Sequence, residues 1–172
     1  MKKQMTILTL ARSMLDGICF NLTENEFKLL QIPPYRILKR REFSNIYKTL
    51  ILYLTKLSIP KAFPKEVSDI SKLFNELYDI AYEGKDSIKK EIENDLQIFQ
   101  KLTDFQLKDP FIYVARDIVE RFEKRPRKAL FISMLNDHIN LLFTNFINIG
   151  NRVELINDPE DENIINELKK KN

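Results

Sequence analysis

Three glycines, one histidine, one cysteine and no tryptophan stand in 172 residues, and each scarcity removes a class of chemistry. With glycine only at 17, 84 and 150 there is no glycine-rich phosphate loop, no GxGxxG turn and no GxSxG elbow. Nucleotide cradling by such loops and the usual hydrolase nucleophile are thereby excluded. A lone His138 and a lone Cys19 cannot assemble a zinc site from those ligands, and neither HExxH nor CxxC occurs. Cys19 cannot form an internal disulfide. It stands between Ile18 and Phe20, where a small buried hydrophobe is expected, and points to a reducing compartment, the cytoplasm. The chain reads as non-enzymatic, with no cofactor and no metal.

Long apolar runs are missing too. The most apolar stretch, 129 to 149, is broken by Asn136, Asp137, His138, Asn140, Asn145 and Asn148, too many polar groups for a lipid-facing span. The opening MKKQMTILTLARSML has a positive start, but Arg12 interrupts its apolar run and no small-residue cleavage site follows, so it reads as helix and not as signal. No membrane contact is expected.

What is present is the composition of a soluble globular protein, 44% hydrophobic and 31% charged. A chain of this length can bury roughly two thirds of its unfolded surface in one core. The net charge of +3 does not by itself call for a polyanion ligand, although a pI near 8.8 leaves room for local basic patches.

Glycine and proline act as punctuation. All of them except Gly17 fall where the helical periodicity breaks, the pattern of a helical bundle with short connections. A first helix over about 3 to 20 carries Ile7, Leu8, Ala11, Met14, Leu15 and Ile18 on one stripe. Thr23 opens T-E-N-E, a capping box for a short helix to about Gln31, ended by Pro33 and Pro34. Residues 40 to 58 repeat Phe43, Ile46, Tyr47, Leu50, Leu54 and Leu57 on a face that Ile51 and Leu52 widen, which predicts deep burial. Pro60 to Pro64 reads as a rigid link. A helix over about 65 to 83 stops at Gly84, and the narrow stripe Ile88, Ile92, Leu96 and Phe99 suits a two-helix seam. Asp109-Pro110 starts a helix carrying Phe111, Val114, Ile118 and Phe122. Pro126 breaks the pattern before a helix over about 127 to 149 that stops at Gly150. That helix is apolar in nearly every direction, so it is either central to the core or shared with a partner chain. Asp158-Pro159 announces a terminal helix ending in Lys169, Lys170 and Lys171. RVELI, 152 to 156, is the one plausible strand, and alone it makes no sheet.

Two catalytic readings are weak on chemistry. Asp158 with Glu167-Leu168-Lys169 has a nuclease-like spacing, but that chemistry needs a strand and these residues read as helix. His138 has no orienting carboxylate one turn away on its own helix, and Arg127 is about three turns back, so it reads as a histidine hydrogen-bonded at the edge of the core.

The basic clusters carry the functional signal. Lys124, Arg125, Arg127 and Lys128 gather at a predicted helix start without a Ser, Thr, Asp or Asn cap, where positive charge opposes the macrodipole. Free amides and cations at a helix N-terminus together suit an anion such as phosphate. Arg36, Lys39, Arg40 and Arg41 stand before another helix with Tyr35 and Tyr47 nearby. Both clusters are candidates for contact with a nucleic-acid backbone. The alternative is pairing with acids, for which Glu160, Asp161 and Glu162 are at hand, or plain exposure to water.

RFEKRPRKAL, with the acidic-capped NDPEDENIINELKKK after it and the paired helices 65 to 103 before it, resembles the helical half of archaeal GINS replication-complex subunits. Those families show a helix ending in an R-x-x-K-apolar element, which Arg125 and Lys128 would occupy, followed by Ala129 and Leu130. The resemblance covers about residues 65 to 170. It implies a scaffold without catalysis that joins other subunits and the replicative helicase. The expectation is an all-α, mainly antiparallel single-domain bundle of six or seven helices, with residues 1 to 60 a helical subregion. It would dock protein partners through apolar helix faces and touch nucleic-acid backbone through its basic clusters. A small-ligand-sensing helical domain, with a pocket inside the bundle, is the alternative.

Overall fold

A computed structural model describes residues 2–19, 22–122, 128–156, 158, 161 and 163. The chain is mostly helical: β1 (Lys3–Thr6), α1 (Ile7–Cys19), α2 (Glu24–Lys28), α3 (Ile37–Ala62), α4 (Val67–Ala81), α5 (Asp86–Leu102), α6 (Ile112–Phe122), α7 (Lys128–Arg152) and β2 (Val153–Ile156). Among the described residues no helix is long and apolar enough to cross a membrane.

The central helix is α3, buried on all sides over its middle from Ile46 to Thr55 except at Lys48 and flanked by α1, α4, α5, α6 and α7. A helix buried all round needs its polar side chains satisfied. Thr49, Thr55 and Ser58 donate to their own helix at Asn45 O, Ile51 O and Thr55 O, at 3.1, 2.8 and 2.8 Å. The deep burial expected for 40 to 58 is thus that of α3, which also takes the central place that is one of the two readings of 127 to 149. α7 buries one stripe, Phe131, Leu135, Ile139 and Phe143, and leaves Leu130, Met134 and Leu141 exposed.

Two punctuation marks turn out not to be stops. Pro60 lies inside the last turn of α3, which runs on to Ala62. Gly150 lies inside α7 and is a packing residue: a Cβ there would stand 2.1 Å from Ala62 O and 2.8 Å from Ala62 C. Here the backbones of α3 and α7 meet. Since Tyr47 also meets His138, the two helices run side by side in the same direction, unlike the antiparallel expectation. Gly84 does act as a stop, at φ 69°. The seam helix, α5, buries fully only Phe99, while Ile88 is exposed.

The first helix is shorter than its periodicity suggested, and the lone strand is not alone. Residues 3–6 pair in parallel with 153–156, Lys3 opposite Val153 and Thr6 opposite Ile156. A two-stranded ladder is marginal in water. This one runs directly into α1 and out of α7, and Met5, Val153 and Leu155 pack on a small core of Leu10, Ile59, Phe63 and Ile70. Thr6 accepts from Thr9 N as a cap for α1, and the Asp161 carboxylate accepts from Leu8 N at 3.3 Å, a favourable charge at a helix start. The main core joins α1 and α3 through α7 around Phe43, Phe74, Phe99 and Phe111.

Candidate interaction surface

Pro33 and Pro34 keep the chain out of helix until Ile37, and Arg36 occupies the cap position of α3 with no side-chain cap bond. The cluster that follows divides in two. Lys39 Nζ donates to Phe122 O at 3.0 Å, so a cation unfavourable to its own helix dipole serves the C-terminal end of α6. Arg40 pairs with Glu24 and lies 3.9 Å over the Phe27 ring, tying α3 to α2. These two are structural. Arg36 and Arg41 are exposed and make no ion pair among the described residues.

Of the second cluster, Lys124, Arg125 and Arg127 lie outside the described residues, and Lys128 is the half-buried first residue of α7. The terminal helix with Glu167 and Lys169 also lies largely outside them, as does the Cys19 side chain. Asp161, a candidate partner for the cations, instead caps α1. The contact of Lys39 with Phe122 brings the first cluster to the residue from which the second continues in sequence.

Beside Arg36 and Arg41, Tyr35, Ile37 and Leu38 are 78%, 73% and 82% exposed. Three large apolar side chains standing in water within four residues, among free arginines, form the most prominent unpartnered apolar group among the described residues. The arrangement can bury apolar area and offer bidentate donors to an acid or a phosphate. The basic residues here are legible in sequence. The exposure of the apolar ones is not, because Ile37 and Leu38 precede the buried stripe that begins at Phe43.

Only the geometry of the fold gives His138 its partner. Tyr47 comes from α3 to place its hydroxyl 2.6 Å from His138 Nε2, and Glu26 of α2 is close enough to act on both electrostatically. Burial pushes the Tyr47 pKa well up and lowers that of His138, so a protonated phenol and a neutral imidazole share this bond. Burial would raise the Glu26 pKa, but bonds from Thr23 outweigh it and hold the carboxyl below its usual range. The signs fix a pH dependence. An imidazole with a lowered folded pKa contributes fully above its unfolded value of about 6.5. Its contribution is lost as pH falls through the folded value. Melting temperature is expected to decline from pH 7 toward pH 5, and His138→Gln is expected to flatten that decline. An unchanged pH profile in the variant would show that His138 is not held neutral.

Among the described residues no group of His, Cys, Asp and Glu could hold a metal ion. Comparison with protein families, curated proteins and solved structures found no match.

Proposed function

We propose that this chain is a non-catalytic interaction subunit, a single, mainly antiparallel helical domain apart from the α3–α7 pair, that works in the cytoplasm within a larger assembly. The observation that carries the reading is the start of α3, where Tyr35, Ile37 and Leu38 stand exposed beside Arg36 and Arg41, two arginines without an ion pair among the described residues. Tyr and Arg are among the residues enriched where proteins meet, and an apolar cluster held on a rigid helix is pre-organised for docking. Lys39 and Arg40 hold that rigidity through Phe122 and Glu24. The resemblance of RFEKRPRKAL to archaeal GINS subunits supports DNA replication as the setting, and the arginines supply phosphate contact there.

The test has two parts. Arg36→Glu with Arg41→Glu is expected to weaken binding to DNA and to reduce the slope of log K against log salt by about 2. An unchanged slope returns both residues to the ordinary solvated surface. Leu38→Asp is expected to remove replication proteins that copurify in stoichiometric amounts, after nuclease treatment, with the tagged wild-type chain from its own cells. Recovery of the same proteins with the variant would place docking elsewhere.

A further inference from the structure

A cavity of about 410 Å³ opens between α1, α3 and α7, within the size range of small-molecule sites. α3 lines it with Tyr47, Ile51, Thr55 and Ser58, and α7 follows at the same spacing from His138 to Ile149. Each run covers twelve residues of helix, eleven rises of about 1.5 Å, so the slot is about 16 Å long. Its walls are effectively apolar along that length, because the hydroxyls of Ser13, Thr55 and Ser58 are committed to carbonyls of their own helices. Polar capacity remains at one end. There Tyr47 and His138 share one hydrogen bond, and in either tautomer of the imidazole the phenolic oxygen keeps a lone pair to accept another. Glu26 lines the same end, and its bonds from Thr23 both fall on Oε2. This end therefore offers acceptors and a negative charge.

A second observation concerns the opening. Gly17 is the one glycine that sits inside a helix without a turn or a close approach to account for it. A Cβ built on it would meet nothing within 4 Å, yet the residue lines the cavity and is itself exposed. Glycine within a helix weakens it relative to alanine, and here its absent side chain leaves the slot open.

We propose that this slot binds a linear aliphatic amine, its chain lying between α3 and α7 and its ammonium group held by the Glu26 carboxylate and the Tyr47 oxygen. A carboxylate head would meet Glu26 as a like charge, and a neutral alcohol would forgo the charge-assisted bond. This ligand site is independent of the docking surface at the start of α3.

The experiment compares octylamine, octanol and octanoate at equal submillimolar concentration, by thermal shift and by titration calorimetry on the full chain at pH 7.5. Octylamine is expected to bind about tenfold more tightly than octanol, the difference between a charge-assisted and a neutral hydrogen bond. Octanoate is expected to give no shift. Glu26→Gln keeps the capping box, since glutamine serves there as well, and is expected to bring the amine down to the affinity of the alcohol. Gly17→Leu is expected to abolish both the amine and the alcohol shifts while the unliganded protein melts no lower than wild type. Equal binding of the three probes, a preference for octanoate, no binding at all, or amine binding that survives Gly17→Leu would each overturn the proposal.

Discussion

Phe43→Ala is expected to lower the free energy of unfolding by about 3–5 kcal/mol, the range for removing a fully buried phenylalanine. The ring is completely enclosed and lies 6.0 Å from Phe27, 5.7 Å from Tyr47 and 5.5 Å, edge to face, from Phe122. It is the point where α2, α3 and α6 are held together. Its loss therefore removes more than transfer energy, because Arg40 over Phe27 and Lys39 at Phe122 O both depend on the same three elements. Urea unfolding followed by circular dichroism reads the change. Phe43→Leu, which keeps most of the volume, is expected to recover the larger part of it. A loss under about 1 kcal/mol for the alanine variant would contradict the burial on which that estimate rests.

Gly150 and Gly17 provide a paired experiment of opposite sign. In an open helix position glycine to alanine stabilises by about 0.5–1 kcal/mol, and Gly17→Ala is expected to do so because nothing lies near its Cβ. Gly150→Ala is expected to destabilise by about 1–3 kcal/mol, the range for an overfilled contact. Its Cβ would overlap the Ala62 carbonyl, and backbone atoms cannot turn aside as a long side chain can. Gly150→Val is expected to cost more, since a branched side chain forces α3 and α7 further apart. Thermal melts of the three variants give the result. Stabilisation by Gly150→Ala would show that the two helices do not touch there.

Local signals in the sequence carried over into structure where the interaction is itself local. The T-E-N-E box forms both of its bonds, Gly84 adopts the left-handed turn, and the stripes of α1 and α6 face the core. Signals that depend on a distant segment did not. K-Q-M-T has no strand period of its own and becomes β1 only because β2 lies beside it. Gly150 looks like a helix stop until the backbone of Ala62 is seen against it. Pro60 falls in the last turn of α3, where few helical bonds remain to be broken. The basic clusters were evident as composition, yet only the fold separates Lys39 and Arg40, which hold helices together, from Arg36 and Arg41, which face water. The Tyr47–His138 pair spans two helices, so no spacing within either one announces it.

The parallel pairing of β1 with β2 also sets an order of events during synthesis. Lys3 meets Val153, about 150 positions later in the chain. At translation rates of about 5–20 residues per second, the amides of residues 3–6 wait on the order of ten to thirty seconds for their partner. Until then α1 lacks both its strand and the Asp161 cap, while α3 to α6 can already collapse on one another. The contact that joins residues 3–6 to residues 153–156 is thus among the last to form, and throughout that interval the amides of residues 3–6 are left to water.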